Sequence, residues 1–270
     1  TELFRIAIVG IATPESQTKA NPALMKGLNF IGGKDLYKVT QEDVDMARSE
    51  GNANIVIALG HLGVDDSSEP NCSYNVMQNV KGIDLFIDGH SHSVITAGPN
   101  GEDIQSTGTA FANIGVITID NATKKIVGNE LKGIWHKEKV EGKDVTVVDY
   151  KTRDEKVAAA AKAIIDPIDK AYGEKFAVSK VTLNGAKAPN GNRDSETNNG
   201  DLITDAMVWK ILQDKESLTV DADHVVAVTN GGGIRKAINP GDVTKKNINE
   251  VLPFGNTVVT IYITGAELLE

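Results

Sequence analysis

NIVIALGHLG, at residues 54–63, and DLFIDGHSHS, at residues 84–93, share one plan: an apolar strand, then a glycine, then a histidine. The interval between them has about the length of a βαβ crossover, which joins parallel strands. Parallel neighbours deliver their carboxyl ends to one edge of the sheet, where ligands bind in open α/β folds. The glycines permit a sharp turn and leave space beside the imidazoles. We therefore predict an α/β fold in which His61, His90 and His92 converge.

The remaining elements follow from hydrophobic periodicity. Strands are predicted where short apolar runs occur, at residues 4–9, 55–59, 83–87, 116–119, 225–228 and 258–263. Helices are predicted where apolar residues recur at helical spacing or alanine is abundant, at residues 41–50, 74–80 and 151–175. Within the last of these, Pro167 predicts a kink or a break. The pattern indicates two α/β segments joined by a helix.

Three of the five histidines lie in the two strand tails. Imidazole is a common ligand of zinc and manganese and also an acid or base near neutral pH. The alternative is that these are loop histidines bonded to nearby carbonyls. Three histidines alone resemble a hydrolytic zinc site, whereas a two-metal centre also needs a bridging carboxylate. The local acids are Asp65, Asp66, Asp84 and Asp88, and Asp88 is either a partner of a ligand or an ordinary turn residue.

Composition excludes several classes of protein. The net charge of −9 argues against broad contact with a nucleic-acid polymer, which needs many lysines and arginines against phosphates. No apolar run approaches the roughly 18 residues that a membrane span requires. Cys72 is the only cysteine, so the chain has no internal disulfide and no cysteine-based zinc site.

The two ends of the sequence lie inside predicted elements. The first residues, TELFRIAIVG, read as a strand already under way, and the last, TGAELLE, read as the start of a helix. Thr264 is the predicted N-cap of this helix, and Glu267, three residues later, completes the pattern of a capping box. We therefore expect the chain to be a fragment of a longer polypeptide.

Five motifs in this order resemble the bacterial 5'-nucleotidases and their 2',3'-cyclic-nucleotide 2'-phosphodiesterase relatives. They are GHLGVD, IDLFIDGHSHS, RDSETNNGDLITDAM, NGGGIR and VLPFGNTV, and they span most of the chain. The resemblance implies that residues 1–150 are the distal part of a calcineurin-like metallophosphoesterase domain, the C-terminal half of its αββα sandwich. It implies a connecting helix at 151–175 and an incomplete α/β substrate-binding domain at 176–270.

The resemblance also implies a metal site. His61, His90 and His92 match metal-ligand positions of the family, although several relatives have glutamine at the last position. The full-length enzyme would hold two divalent ions, zinc, manganese or similar. The family's Asp-x-His, Gly-Asp and Gly-Asn-His motifs, which supply the other ligands and the catalytic histidine, do not occur ahead of His61. The catalytic histidine is therefore expected upstream of Thr1, and we expect little or no phosphoesterase activity from this chain alone.

The second half carries the residues that the resemblance assigns to substrate. Arg193 would reach the phosphate, Asn230 the base, Arg235 the ribose or phosphate region, and Phe254 would stack on the base, while Gly232 lets the backbone approach. Without the resemblance, Arg193 would be interpreted as a surface arginine, the glycine-rich stretch as an ordinary turn and Phe254 as a core residue.

The function expected from the resemblance is metal-dependent hydrolysis of nucleotide phosphate esters by an exported protein, as a 5'-nucleotidase, a 2',3'-cyclic-nucleotide 2'-phosphodiesterase or both. The partner is a nucleotide or nucleoside. Two alternatives remain open: a non-catalytic nucleoside-binding or nucleotide-binding module, and a hydrolase of nucleotide sugars on the same scaffold.

Overall fold

The computed structural model describes residues 3–140, 143–149, 153–186 and 190–269. The chain divides into two compact units, Thr1–Thr152 and Arg153–Glu270. The first two residues of the predicted connecting helix, 151 and 152, lie outside the described residues. No helix in the described ranges is long and apolar enough to span a bilayer.

The first unit mixes strands and short helices. Its strands are β1 (Ile6–Ala12), β2 (Ile55–His61), β3 (Leu85–Asp88), β4 (Val94–Ile95), β5 (Ile104–Thr107), β6 (Asn113–Asp120), β7 (Lys125–Gly133), β8 (Trp135–Val140) and β9 (Lys143–Val148). Its helices are α1 (Ser16–Lys19), α2 (Pro22–Met25), α3 (Lys34–Ser49) and α4 (Ser73–Asn79). The predicted α/β class is confirmed.

Five of these strands form one sheet in the order β1-β2-β3-β5-β4. Strands β1, β2, β3 and β5 are parallel to their neighbours, and β4 is antiparallel to β5. The predicted parallel pairing of the two histidine-bearing strands is therefore confirmed. In the register, Ala12 of β1 lies opposite His61 of β2, so both strands end at the same edge.

Helices α3 and α4 cover one face of this sheet. Val9, Val56 and Phe86 of the strands join Val44 of α3 and Val76 of α4 in a single buried cluster. The opposite face is covered near β5 by the β6–β7 hairpin, because the Gln105 amide donates to the Asn129 side chain at 2.7 Å. The sheet is thus a middle layer with helices on one side and a hairpin on the other.

Helix α3 begins seven residues before the predicted start. Gly33, in the left-handed region at φ 58°, precedes its first turn. Leu36, Thr40 and Val44 are buried and spaced four residues apart, so they share one face. The first half contains tyrosine, valine and threonine, which are mediocre helix formers, and packing against the sheet outweighs that propensity.

The second unit contains helices α5 (Glu155–Tyr172), α6 (Asn198–Leu212), α7 (Lys245–Val251) and α8 (Gly265–Leu269) with strands β10 (Lys175–Ser179) and β11 (Gly241–Thr244). The two strands pair antiparallel. The core gathers buried residues from α6, β11, α7 and the segment after the glycine run: Ile203, Ile234, Ile238, Val243 and Val251. Helix α8 begins as predicted, since Thr264 and Glu267 each bond the other's backbone N–H.

Two predicted strands of this unit are wrong. Residues 225–228 and 258–263 form no strand, and neither segment belongs to a β-sheet within the described residues. A strand is stable only where another strand takes up its backbone hydrogen bonds. The valines that suggested these strands remain outside the core, with Val228 80% and Val259 75% exposed. High β-propensity therefore does not produce a strand here.

Pro167 was predicted to cause a kink or a break, and it does not break the helix, because α5 continues through it from Glu155 to Tyr172. Asp154 caps the helix by accepting from the backbone N–H groups of Lys156 and Val157. Helix α5 buries none of its residues. Water can therefore bond the carbonyl that Pro167 leaves without an N–H donor, which makes the proline tolerable.

Candidate functional site

Two histidines meet at the carboxyl edge of the main sheet. His61 ends β2, His90 follows β3 by two residues, and their ring centroids are 5.1 Å apart in an edge-to-face arrangement. Each ring also packs on a glycine of the other loop. A Cβ on Gly89 would lie 3.0 Å from His61 Nδ1, and one on Gly63 would lie 3.1 Å from His90 Cδ2. A side chain at either position would crowd an imidazole, and Gly63 also has a φ of 82°, which favours glycine.

The loop after β3 holds its histidines in an uncommon backbone conformation. His90 has φ 77° and His92 has φ 60°, both in the left-handed region. Such residues cost of order 1–3 kcal/mol each and persist only where the surroundings hold them, often at functional sites. Here the loop after β2 restrains the loop after β3 through two hydrogen bonds. Leu62 N–H donates to the Asp88 side chain at 2.8 Å, and Val64 N–H donates to the Ser91 side chain at 3.3 Å.

His92 does not join the other two in a closed trio. Its side chain is exposed, two residues beyond His90. Three side chains can share one metal ion only if their ligand atoms lie close together. Among the histidine, cysteine, aspartate and glutamate residues in the described ranges, one group has all its ligand atoms within 4.8 Å of one another. It is the exposed set Asp221, Asp223 and His224. The predicted convergence is confirmed for His61 and His90, whose rings are in contact, and it stays a prediction for His92.

Sequence reasoning missed Glu15, which lies against His90. Glu15 Oε2 is 3.2 Å from His90 Nε2 and also pairs with Lys19. Burial raises the pKa of the Glu15 carboxyl, but contacts with the Lys19, Ser68 and His90 side chains lower it more, so the pKa falls below its ordinary value. The available signal was position, because Glu15 follows β1 by three residues and β1 ends at the same sheet edge as β2.

These side chains suit a divalent metal. Two imidazoles lie at this edge with two carboxylates, of which Glu15 contacts His90 and Asp88 bonds the Leu62 backbone N–H. Glu15 Oε1 and Asp88 Oδ2 are buried oxygens without a hydrogen-bond partner in the described residues. Nitrogen and oxygen donors in this combination fit a borderline ion such as zinc or manganese. Buried carboxylate oxygens without partners are costly unless a cation or a donor satisfies them. The donor set therefore fits the metal that the sequence implies.

A second cluster lies in the second unit, around the glycine run at residues 231–233. A Cβ on Gly232 would lie 3.3 Å from both Arg193 Nη2 and Asn230 Nδ2. On Gly231, a Cβ would lie 1.5 Å from the Asn192 carbonyl oxygen, so no side chain fits there. The glycines thus bring the backbone against the loop that carries Arg193.

Arg235 connects this loop to Phe254. Its Nη1 donates to the Gly232 carbonyl at 3.2 Å, and its guanidinium carbon lies 5.6 Å from the centre of the Phe254 ring. Phe254 is 60% exposed, so it does not pack in the core. All five residues that sequence reasoning named in this half, Arg193, Asn230, Gly232, Arg235 and Phe254, form one continuous series of contacts.

The Arg193 loop is held in place by several polar residues. Asp194 accepts from the backbone N–H groups of Asn190 and Gly191, at 3.1 and 2.8 Å. Thr197 caps α6 by accepting from Gly200 N–H and also donates to Asn192. Asn199, almost wholly buried, donates to the Lys236 carbonyl. These bonds fix the loop against the segment that follows the glycine run.

An open groove lies apart from these residues. It has a volume of about 570 Å³ and is lined by residues of β1 and α3, among them Ile8, Asp43, Met46 and Glu50. None of its lining residues is a candidate site residue, so size alone does not mark the site in this protein.

Comparisons with known proteins point to one family. The 5'-nucleotidase C-terminal domain family matches residues 175–270. The chain is 28% identical over 275 residues to the trifunctional nucleotide phosphoesterase protein YfkN of Bacillus subtilis, covering 98% of this chain and 17% of that protein. It is 27% identical over 281 residues to the 5'-nucleotidase of Bos taurus, covering 97% of this chain and 46% of that protein.

A solved structure agrees on the fold. It is assigned as a 5'-nucleotidase from Staphylococcus aureus and is in complex with alpha-ketoglutarate. The TM-score is 0.55 at 17% sequence identity, covering 93% of this chain and 46% of that one. The chain thus spans less than half the length of these relatives. It is similar to the 5'-nucleotidases, and its residues 175–270 match the 5'-nucleotidase C-terminal domain family.

Proposed function

We propose that the chain supplies one part of the metal site and most of the nucleotide-binding site of an enzyme that hydrolyses nucleotide phosphate esters. The observation that carries this proposal is the contact series from Arg193 through Gly232 and Arg235 to Phe254. It lies within the residues that match the 5'-nucleotidase C-terminal domain family. It presents two guanidinium groups and an exposed ring in one place.

The chemistry of this series suits a nucleotide. Guanidinium groups form charge-assisted hydrogen bonds with phosphate oxygens, and Arg193 and Arg235 both border Gly232. One side of the Phe254 ring carries Arg235, and its 60% exposure leaves room for a base to stack. Asn230 offers both a donor and an acceptor for the edge of a base. These residues would bind and orient the substrate.

The first unit would contribute His61 and His90 to a divalent metal, with His92 available from the same loop. A metal bound there supplies Lewis-acid polarisation of the phosphate and lowers the pKa of a bound water. The histidines would hold that ion, and Asp88 and Glu15 contact the loops that carry them. In the whole protein we propose two divalent ions, zinc, manganese or similar.

The substrate class and location rest on relatives. Similar proteins are named 5'-nucleotidase and trifunctional nucleotide phosphoesterase, which supports a nucleotide phosphate ester as the substrate. We propose nucleoside monophosphates and, as a further substrate class, 2',3'-cyclic nucleotides. Another relative is named snake venom 5'-nucleotidase, which supports an exported protein. We propose a nucleotide or nucleoside as the partner.

Calorimetric titration with adenosine 5'-monophosphate tests the binding site. We expect Phe254→Ala and Arg235→Ala each to weaken binding roughly tenfold or more, because base stacking alone is worth roughly 1–3 kcal/mol. Unchanged affinity in both variants would remove the proposed site.

Two substitutions in the same unit serve as matched controls. Phe176, in β10, is 59% exposed, almost the same as Phe254. Arg153 is an exposed arginine that pairs with Glu155 ahead of α5. Phe176→Ala and Arg153→Ala should leave the affinity for adenosine 5'-monophosphate unchanged. A loss of affinity in either control would mean that the titration reports general damage to the unit.

A further inference from the structure

We propose that Glu15 is the positioning residue of His90: it accepts a hydrogen bond from Nε2–H and so leaves Nδ1 as the nitrogen that binds a divalent metal. This inference rests on the metal-binding role proposed for His90. Nothing in the sequence pattern marks Glu15, which follows the first strand in the stretch IATPES.

The geometry assigns the proton. Glu15 Oε2 and His90 Nε2 are 3.2 Å apart, and their side chains are 16% and 24% exposed. An ionised carboxylate has only acceptor oxygens, so the imidazole nitrogen facing it must carry the hydrogen. A neutral imidazole with hydrogen on Nε2 has its lone pair on Nδ1. If His90 is protonated, the proton that a metal displaces is likewise the one on Nδ1.

The loop before α1 is built to hold this carboxylate in place. Thr13 is almost wholly buried, and its hydroxyl accepts from the Glu15 backbone N–H at 3.2 Å. The Ser16 N–H donates to the Thr13 carbonyl at 3.1 Å, which closes a tight turn around Glu15. Lys19, one helical turn later, pairs with the same carboxylate oxygen as His90. Both the backbone and the side chain of Glu15 are therefore restrained.

A second observation points to the same place. The other carboxylate oxygen, Glu15 Oε1, is buried and has no hydrogen-bond partner in the described residues. A carboxylate placed only for the Lys19 pair would be better solvated at the surface, because exposed ion pairs contribute little stability. Burying the Glu15 carboxylate beside His90 costs solvation free energy. Such a cost is expected where a carboxylate orients a metal-binding histidine.

The expected consequence is a change in metal affinity. Carboxylates that orient a metal-binding imidazole typically raise affinity 10- to 100-fold. Glu15→Ala should remove the acceptor, so the His90 ring would be free to rotate and to exchange tautomers. Glu15→Gln keeps an acceptor oxygen of similar reach and should retain part of the effect. Glu42→Ala, on an exposed position of α3, is a matched control.

The test uses long-range proton–nitrogen NMR of the whole chain, labelled with ¹⁵N, without metal and with zinc added, alongside zinc titration by calorimetry. We expect metal-free wild type and Glu42→Ala to carry the His90 proton on Nε2 and zinc to shift the Nδ1 resonance. Glu15→Ala should mix the tautomers and weaken zinc binding 10- to 100-fold, and Glu15→Gln should lie between. Circular dichroism of each variant checks that the fold is kept.

The outcomes separate the two proposals. Zinc that binds through His90 Nε2, or an unchanged tautomer and affinity in Glu15→Ala, would overturn the role of Glu15 while the metal role of His90 stands. Wild-type chain that binds zinc without any shift of the His90 ring resonances would overturn the metal role and the positioning role together.

Discussion

Several glycines are required in this protein because another group occupies the space that a side chain would need. Gly60 lies on β2 beneath the Phe86 ring, where a Cβ would be 2.5 Å from two ring carbons. Gly89 and Gly63 make room for the two histidine rings in the same way. At residue scale, glycines and imidazoles therefore depend on one another at the sheet edge.

Gly60→Ala should destabilise the first unit. Phe86 is wholly buried and cannot move away, so the added methyl should lower the free energy of unfolding by about 1–3 kcal/mol. Gly10→Ala is the matched control, because Gly10 lies opposite Leu59 on the neighbouring strand and a Cβ there meets nothing within 4 Å. Urea unfolding of both variants measures the difference. Equal stability of the two would show that Phe86 does not restrict Gly60.

At the scale of elements, polar side chains connect pieces that are distant in sequence. Glu102, just before β5, accepts from the Gln78 side chain of α4 at 2.8 Å and from Asn100 N–H at 2.9 Å. Asp88 ties the end of β3 to the residue after His61. Such hydrogen bonds fix the positions of helices and loops on the sheet. Hydrophobic burial alone does not specify those positions, because it is not directional.

Stability should depend on pH through Glu102. Burial raises the pKa of this carboxyl, but hydrogen bonds from Gln78 and Asn100 outweigh it and lower the pKa from 4.5 to about 2. A carboxyl with a lowered pKa contributes stability that is complete above pH 4.5 and is lost as the pH falls toward 2. The contribution should be about 1 kcal/mol, since water screens this partly exposed group.

Thermal unfolding of Glu102→Gln between pH 3 and pH 7 checks this prediction. The variant should be less stable than wild type at pH 7. This difference should narrow toward pH 3, because the unfolded wild-type chain takes up a proton that the folded carboxyl, with its lower pKa, does not. Glu42→Gln, on the exposed side of α3, should show no such narrowing. A gap that stays constant with pH would exclude the proposed role of the Glu102 charge.

At the scale of the whole molecule, the two units carry different tasks. The first unit holds the His61–His90 pair and the second holds the Arg193–Phe254 contact series. Under the proposed function, a nucleotide would bind to the second series alone, whereas hydrolysis would also need a complete metal centre. The three motifs that the family uses for the rest of that centre do not occur ahead of His61.

The chain alone should therefore bind adenosine 5'-monophosphate and release phosphate no faster than the buffer does. Phosphate release with manganese or zinc present, measured beside the calorimetric titration, checks both halves of this prediction. Metal-dependent turnover that disappears in His90→Ala would contradict it and would show that the chain completes a working centre. The same result would also exclude the non-catalytic binding module.

Much of this could be predicted because it depends on local pattern. The strand, glycine and histidine plan at residues 54–63 and 84–93 predicted two parallel strands with a shared edge, and β2 and β3 have that arrangement. The helix at 74–80 was predicted to within one residue, since α4 spans Ser73–Asn79. By contrast, residues 225–228 and 258–263 have strand-like composition and form no strand, because pairing requires a partner that composition does not reveal.

The sequence by itself determined the α/β class, the parallel order of the histidine strands and the residue types available to metal and nucleotide. Only the tertiary structure decided which of those residues meet. It brought Glu15 to His90 across 75 positions, the His61 ring to the His90 ring, and Arg235 onto Phe254. The physical reason is that periodicity reports which face a residue occupies, while contacts between distant loops depend on how the layers pack.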